Sequence, residues 1–361
     1  MSKIAGIWSR VQRALFEMQE CLPLLTAQHR RLVLILEVVR IEQHIPAGCL
    51  QWLGRRRRDR RALARAFVAK ACLNLATTKA LIERLQVDRS LRQLCGWEQG
   101  RQVPSESTFS RAFAEFARAA LLDRVHAARV HDSLGDEPIW HVARDSTAIE
   151  AREKPAPKPP APPRTHRPGR PRKGELRPPK PAKRLACQSS QSAAAAIAAL
   201  PTACDVGTKK NAKGHCQHWI GYKFHIDVGD GGIPLAAVTT SASVHDSQVA
   251  IPLAKLTAAR VTSWYDLMDS AYDAALIQEF SVALGHVPII DPNRRRGQPR
   301  ELTPDRVRRY AKRSQSERFN SRLKDDCGGR CVRVRGQPKV HTHLMFGLMV
   351  IFAEALLGLA S

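Results

Sequence analysis

The chain has 361 residues, of which 43% are hydrophobic, an ordinary fraction for a folded protein of two or three domains. Its charge is unusual, because 58 lysines and arginines face only 33 aspartates and glutamates, giving a formal net charge of +25. This composition argues against a wholly disordered chain and favours a polyanion as partner, since each phosphate neutralised releases condensed counterions. A merely basic surface, as in ribosomal proteins, is the alternative.

The two ends of the sequence predict neither a secretion signal nor a membrane span. Residues 1–20 place Trp8 and Glu17 among their apolar positions, so no uninterrupted apolar segment follows a basic start. The apolar stretch 344–359 is short for a span and contains Glu354, which favours a buried C-terminal helix. We therefore expect a cytoplasmic, nucleoid-associated protein without a membrane partner.

The nine cysteines of this chain are expected to be reduced thiols. Two clusters raise structural zinc as an alternative: Cys204 with His215, Cys216 and His218, and Cys327 with Cys331. Neither cluster contains a CxxC pair, so the spacing does not favour zinc.

Residues 1–135 predict an all-α N-terminal domain. Leu63, Phe67 and Ala71 recur at helical spacing, and a second apolar stripe follows a helix start at 103–109. This second helix could be part of a helix-turn-helix that binds DNA ends. An ordinary helical bundle packed on the next domain explains the same pattern, and the sequence leaves both open.

Residues 136–361 predict a mixed α/β sheet with helices on its faces. The alternation of apolar residues predicts strands at 139–145, 221–228, 233–240, 264–269 and 287–290, with helices near 245–259, 274–284 and 303–327. This is the element order of the ribonuclease H-like fold, so we expect that fold class, preceded by the helical domain.

An insertion at 151–204 interrupts this predicted sheet. Residues 151–187 are rich in proline, lysine and arginine and cannot bury enough apolar surface to offset the cost of ordering, so we expect a disordered loop there. The alanine-rich residues 192–200 are either a short helix or more linker. Within the predicted loop, Arg170 belongs to a Gly-Arg-Pro sequence that Arg167 and Arg172 flank. The pattern is similar to an AT-hook, which binds a narrow A·T minor groove. A basic linker with nonspecific DNA affinity is the alternative.

The last predicted helix has a charged stripe. It begins near Thr303 as N-cap and ends at Gly328 and Gly329. At about 100° per residue, four polar side chains fall within an arc of about 60°: Tyr310, Arg313, Glu317 and Lys324. A solvated charged face is the usual meaning of such a run. One acid between a phenol and two cations instead suits a metal-binding carboxylate flanked by phosphate contacts.

The spacing of these four residues resembles the Tyr-Arg-Glu-Lys signature of insertion-sequence transposases with an Asp-Asp-Glu active site. Segments at 144–154, 219–225, 244–247 and 328–336 also look like that group. The resemblance implies that Asp145, Asp269 and Glu317 are the catalytic, metal-binding residues. It departs at Ala271, where the family usually has glycine.

The residues themselves point to the same three carboxylates. Asp145 and Asp269 each end a predicted strand and Glu317 lies on the following helix, so all three can converge on two Mg²⁺ ions, with Mn²⁺ as a substitute. Several other acids compete for these roles: Asp205, Asp227, Asp246, Asp266 and Asp273. Of these, Asp246 is interpreted as an N-cap and Asp273 as a helix start.

Three functions remain open at this point. The first is a transposase that binds its element's inverted repeats, cuts there and joins the ends to target DNA, with Tyr310, Arg313 and Lys324 on the DNA backbone and a dimer in the synaptic complex. The second is a nuclease of the same fold that does not join strands. The third is a DNA-binding relic without catalysis, against which the intact set of acids argues.

Overall fold

The computed structural model describes residues 25–46, 58–135, 137–157, 183–210, 214–293 and 301–360, with a few helical positions between residues 6 and 17. The first part of the described chain is helical, in six segments: α1 (Ala27–Val39), α2 (Arg60–Cys72), α3 (Thr78–Val87), α4 (Arg89–Cys95), α5 (Glu106–Arg118) and α6 (Leu121–Leu134). Side-chain oxygens cap several of these helices. Thr77, for example, accepts a hydrogen bond from the backbone N–H of Ala80. The predicted helical character of this region is confirmed.

The phenylalanine stripe of α5 faces the core. Phe109, Phe113 and Phe116 are buried and surround the ring of Phe67 on α2, with centroid distances of 5.6, 5.1 and 6.4 Å. These rings pack edge-on, an arrangement that aromatic quadrupoles favour. The stripe therefore holds the helices together, and a helix-turn-helix role for this region stays a prediction.

A mixed sheet follows, with β1 (Ile139–Glu150), β2 (Asp205–Lys210), β3 (Cys216–Val228), β4 (Pro234–Ser241), β5 (Ser263–Met268) and β6 (Val287–Ile290). Its central order is β4-β3-β1-β5-β6, and β2 pairs with the first half of β3. β1 pairs antiparallel with β3 and parallel with β5, which in turn pairs parallel with β6. This is the ribonuclease H-like order, so the predicted fold class is confirmed.

Helices cover both faces of this sheet. The remaining helices are α7 (Arg184–Gln188), α8 (Ala193–Ala198), α9 (Ser247–Ala258), α10 (Ala275–Ala283), α11 (Pro304–Tyr310), α12 (Ser314–Asp325) and α13 (Gln337–Ala360). Side chains alternate along each strand, so Ala236 and Val238 of β4 pack towards α9 while Leu235 and Ala237 join the core shared with α13.

Helix α13 connects the two regions. It packs against α1, α2, α5 and α6 on one side and against β4 on the other. Residues 337–358 are long and apolar enough to cross a membrane by length and composition, yet 72% of the apolar window is buried inside the fold. This burial agrees with the predicted C-terminal core helix, and the helical region and the sheet share one continuous core.

Three local expectations were wrong in detail. β1 does not end at Asp145 but continues to Glu150, so Asp145 lies within the strand. The predicted helix at 303–327 is broken by a 3-10 turn, Ala311–Arg313, between α11 and α12. Residues 184–188, at the end of the predicted disordered loop, form α7, and it packs on α9 together with α8, the short helix that was one of the two alternatives for residues 192–200. There Lys255 of α9 donates to the carbonyls of Gln188 (2.8 Å) and Ser189 (2.9 Å).

A buried ion pair lies between the sheet and α9. Arg144 donates two hydrogen bonds of 2.8 Å to the carboxylate of Asp227, which also accepts from the Thr257 hydroxyl at 2.6 Å. Both charged side chains are nearly inaccessible to solvent, and such pairs depend on this kind of full hydrogen bonding. Because neighbouring side chains of a strand point to opposite faces, this pair places Asp145 on the other face, towards α12.

The buried His126 makes stability depend on pH. Its Nε2–H donates to the Pro234 carbonyl at 2.9 Å, and its Nδ1 accepts from Arg260 at 3.1 Å. Burial, and then Arg260, lower the pKa of His126 from 6.5 to about 3. Below about pH 6.5 the imidazole of His126 therefore binds a proton in the unfolded chain but stays neutral in the folded chain.

We expect this residue to lower the free energy of unfolding by about 1.4 kcal/mol for each pH unit between about 6 and 3. Chemical denaturation at about pH 7.5 and 5.5 measures the loss, and His126→Gln, which can keep both hydrogen bonds, should lose less. Equal pH dependence in the two proteins would contradict this assignment.

Candidate active site

Asp145 is positioned by the middle of β1 on the face that α12 covers. Its Oδ2 accepts a hydrogen bond from Asn320 Nδ2 of α12 at 3.1 Å. The side chain is only 15% exposed. Asp145 therefore has a fixed orientation, with its other carboxylate oxygen turned to the rest of the site.

Asp269 follows β5 and lies beside Asp145 because of the parallel pairing. Arg144 of β1 is opposite Met268 of β5, so Asp145 and Asp269, which follow them, lie at the same level of the sheet. Asp269 caps the next 3-10 turn, since its Oδ1 accepts from the backbone N–H of Ala271 at 3.0 Å. The register of the sheet thus joins two acids that are distant in sequence.

Glu317 lies on the first turn of α12 with its side chain 61% exposed. One turn earlier, Arg313 points its guanidinium between all three acids. Its Nη1 donates to Glu317 Oε1 at 2.5 Å, and its Nη2 lies 3.9 Å from Asp145 Oδ1 and 3.8 Å from Asp269 Oδ2. The three predicted carboxylates therefore converge on a single cation.

Burial and charge act against each other at these acids. Burial raises the pKa of Asp145 to about 6, while Arg313 lowers it and Asp269 raises it. The pKa of Asp269 is also raised, chiefly by burial. For Arg313, burial alone would lower the pKa, but Asp145 and the other acidic neighbours raise it above its usual value. The cluster is thus a crowded anionic site that needs positive charge.

No group of three metal-binding side chains is arranged around a common point in the described part of the chain. At this site Arg313 occupies the space between the acids. The donor set nevertheless fits a divalent cation, because three carboxylates within reach of one guanidinium supply the oxygen ligands that Mg²⁺ prefers. Arg313 Nε and Asn320 Oδ1 are buried there without a partner among the described groups.

The other residues of the charged stripe lie on both sides of Arg313. The Tyr310 ring is 6.0 Å from the Arg313 guanidinium, and burial raises its pKa to about 12. Lys324 lies about two turns beyond Glu317 on α12, and its pKa is lowered by burial and then by Arg330. The predicted minor-groove contacts Arg167, Arg170 and Arg172 lie outside the described residues.

The sequence analysis did not assign to the site four residues that we here call its wall: Asn320, Lys223, His225 and Asp246. Asn320 orients Asp145, and Lys223 donates to the Asp246 carboxylate at 3.0 Å. His225 is within 3.9 Å of the same carboxylate, and burial lowers its pKa to about 4. The segments 219–225 and 244–247, which resemble the transposase group, contain Lys223, His225 and Asp246, so a signal for this wall was present in the sequence.

The competing acids have structural partners. Asp227 and Asp266 lie on the Arg144 side of the sheet, and Asp266 accepts from Ser281 at 2.6 Å. Asp246 occupies the N-cap position of α9, as interpreted, but its side chain makes no cap hydrogen bond and accepts instead from Lys223. Asp273 does not begin α10, whose N-cap is Ala274; its Oδ2 accepts from the backbone N–H of Asn293 at 3.0 Å.

The cysteine clusters show no zinc site. Of the residues that the structure describes, Cys204 and Cys327 are buried, Cys216 and Cys331 are exposed, and all are free thiols. His218 hydrogen-bonds to Thr208 at 2.9 Å. The reduced state of the nine cysteines stays a prediction.

Two models of known protein families match this chain. The model of the transposase DDE domain matches residues 137–353, the part that contains the sheet and all three converging acids. A second model, described as a transposase domain, matches residues 21–115. Neither the curated proteins nor the solved structures contain a match. The chain belongs to the transposase DDE domain family.

Proposed function

We propose that this transposase binds the terminal inverted repeats of an insertion sequence, cleaves the DNA there and joins the freed ends to target DNA. The observation that carries the proposal is the convergence of Asp145, Asp269 and Glu317 on the guanidinium of Arg313. Three acids around one cation suit a reaction in which phosphate and divalent cations meet. The spacing of Tyr310, Arg313, Glu317 and Lys324, similar to the Tyr-Arg-Glu-Lys signature, supports the same assignment.

The three carboxylates would hold Mg²⁺ or Mn²⁺. When bound, such ions supply activation of the attacking oxygen and stabilisation of the leaving one. Asn320 holds Asp145 in orientation through its amide, and Ala271 holds Asp269 through its backbone N–H. These bonds reduce the reorganisation that the acids need when ligands arrive.

Arg313 has a second role in this proposal. Its planar guanidinium can donate to two phosphate oxygens at once, which a point charge cannot do. When the scissile phosphate enters, Arg313 would leave the acids and bind that phosphate, with Tyr310 beside it and Lys324 further along the backbone. In the joining step a 3′-hydroxyl oxygen forms a new bond to phosphorus while the target strand's 3′ oxygen leaves, so the number of phosphodiester bonds is unchanged.

Strand joining separates the transposase from a nuclease of the same fold. We expect the protein with Mg²⁺ to convert a labelled duplex carrying the element's end and a supercoiled target plasmid into a joined product. Asp145→Asn should form neither nicked nor joined DNA. Cleavage without any joined product would favour the nuclease alternative, and binding without cleavage would favour the non-catalytic one.

The basic insertion is proposed to add DNA affinity. Deleting residues 158–182 should leave the fold intact and weaken duplex binding, with a shallower salt dependence because fewer phosphates are neutralised. Fluorescence anisotropy over about 50 to 200 mM salt measures both quantities, and thermal unfolding checks the fold. An unchanged slope would contradict a role for Arg167, Arg170 and Arg172 in DNA binding.

The proposal also assigns a role to each region of the chain, an oligomeric state and a location in the cell. The helical region, residues 1–135, would recognise the element's ends, and residues 136–361 would perform the chemistry. Synapsis of two ends calls for a dimer in the DNA complex. The protein would work in the cytoplasm on nucleoid DNA.

A further inference from the structure

A cleft of about 630 Å³ lies between the helical region and the segment that joins α12 to α13. One wall comes from α2, α3 and α5, and the other from residues 327–335 and the start of α13. Its floor includes the largely buried rings of Phe67, Phe113 and Phe346. None of the three catalytic acids lines this cleft.

The cleft is lined by positive charge from both walls. Glu106 is the one acid among its lining residues, and six lining residues are cations: Lys70, Lys79, Arg152, Arg333, Arg335 and Lys339. Lys79 lies 4.0 Å from Glu83, whereas the other five form no ion pair with any residue that the structure describes. Like charges brought together by folding repel one another, so this arrangement favours an anion between the walls.

Lys70 is the deepest of these cations. Burial lowers the pKa of its ammonium group to about 8, and Arg333 adds to the lowering. The adjacent His343 is neutral, because burial, followed by Lys70, lowers its pKa to about 4; its Nε2–H donates to the Gly328 carbonyl at 3.0 Å. A bound anion would offset the cost of keeping Lys70 charged in this position.

Helix α12 links the cleft to the catalytic acids. The residues from Glu317 to Asp325 span about 12 Å, and the cleft begins just beyond, at Cys327. Lys324 lies along this path, and burial, followed by the nearby Arg330 and Lys209, lowers its pKa. A DNA strand rises about 3.4 Å per nucleotide, so about four nucleotides cover the distance. A strand whose phosphate lies at the acids can therefore continue into the cleft.

We propose that this cleft binds the sugar-phosphate backbone of the element-end DNA a few base pairs from the cleavage position. The proposal rests on the transposase function proposed above. Cations on two separate segments would clamp consecutive phosphates and so orient the duplex on the catalytic acids. Such contacts position DNA without reading its sequence.

The test compares two double variants of the full chain that each remove two arginines. Arg333→Gln with Arg335→Gln removes two positive charges from the cleft, and Arg333→Lys with Arg335→Lys, the control, keeps both charges at the same positions. A fluorescein-labelled DNA duplex is titrated by anisotropy between about 50 and 200 mM salt. The cleft variant should bind more weakly, with a logarithmic salt slope smaller by about 1.8 if each arginine neutralises one phosphate. The control variant should keep the slope of the unmodified protein.

A second measurement on the unmodified protein does not depend on any variant folding. Limited acetylation followed by peptide mass spectrometry should show that the duplex protects Lys79 and Lys339. Wild-type affinity and salt slope in a folded cleft variant, or lysines that remain unprotected, would overturn the proposal. Failure of the transposase function is distinguishable, because the unmodified protein would then form no joined product, whatever the affinity and salt slope of the cleft variant.

Discussion

Replacing Glu317 by Gln is expected to abolish DNA cleavage while leaving DNA binding at least as strong. The substitution keeps the shape of the side chain and removes one of the three negative charges that surround Arg313. Loss of a metal-binding carboxylate removes several kcal/mol of transition-state stabilisation, and about 1.4 kcal/mol corresponds to a factor of ten. We therefore expect cleavage to slow at least about a thousandfold.

Binding should improve slightly in this variant, because one fewer negative charge repels the phosphate. The side chain is 61% exposed on a helix surface, so folding should be unaffected. Cleavage of labelled element ends with Mg²⁺ and anisotropy without it give the two readouts, and Glu301→Gln, an exposed acid outside the cluster, serves as control. Full cleavage by Glu317→Gln would remove Glu317 from the mechanism.

Replacing Arg313 by Ala should have opposite effects on metal and DNA. Without DNA, the guanidinium lies 3.9 Å from Asp145 and 3.8 Å from Asp269, where it competes with any divalent cation. Its removal should increase the affinity of the free protein for Mn²⁺, measured by electron paramagnetic resonance. The carboxylates, relieved of their partner, repel one another and so favour a cation more strongly.

With DNA present, the same variant should cleave more slowly by a factor of about a hundred to a thousand, the usual effect of losing one preorganised donor to a developing charge. Its DNA affinity should fall, with a salt slope smaller by about one. Arg313→Lys keeps the charge and should restore the salt slope, yet not the cleavage rate, because an ammonium cannot bind a phosphate through two parallel hydrogen bonds. Unchanged Mn²⁺ affinity in Arg313→Ala would contradict competition at the acids, and equal loss of binding in Glu317→Gln would indicate a destabilised helix.

The three proposed catalytic acids show how much of the site can be predicted from local sequence patterns. Each acid had a local signature, namely an alternating strand before Asp145, another before Asp269, and a charged helical stripe around Glu317. Periodicity reports which face of an element a side chain shares, so these three could be selected from the sequence. The rival Asp266 lies only three residues from Asp269 and could not be separated by pattern alone. Its partner Ser281 comes from α10, and that contact exists only in the folded chain.

Other features had no local signature. Arg313, whose guanidinium lies between the acids, ends the 3-10 turn Ala311–Arg313, whereas the capping residues alone predicted an unbroken helix. In the sequence, Asn320 cannot be distinguished from the other polar residues of α12. Its amide contacts Asp145 only because the helix packs on β1. The lysines and arginines of the cleft come from distant segments, with more than 200 residues between Lys70 and Arg333, so their shared environment could not be predicted.

The sequence by itself determined the fold class and the basic character and led to the proposal of three acids, because periodicity, composition and residue spacing are local properties that each element expresses independently. Only the tertiary structure decided that Arg313 lies between those acids, that β1 continues past Asp145 and that six cations from distant parts of the chain line one cleft. The physical reason is that hydrogen bonds, burial and electrostatic repulsion act over a few ångströms in space. Strand pairing and helix packing set those distances, and they join residues that the sequence keeps far apart.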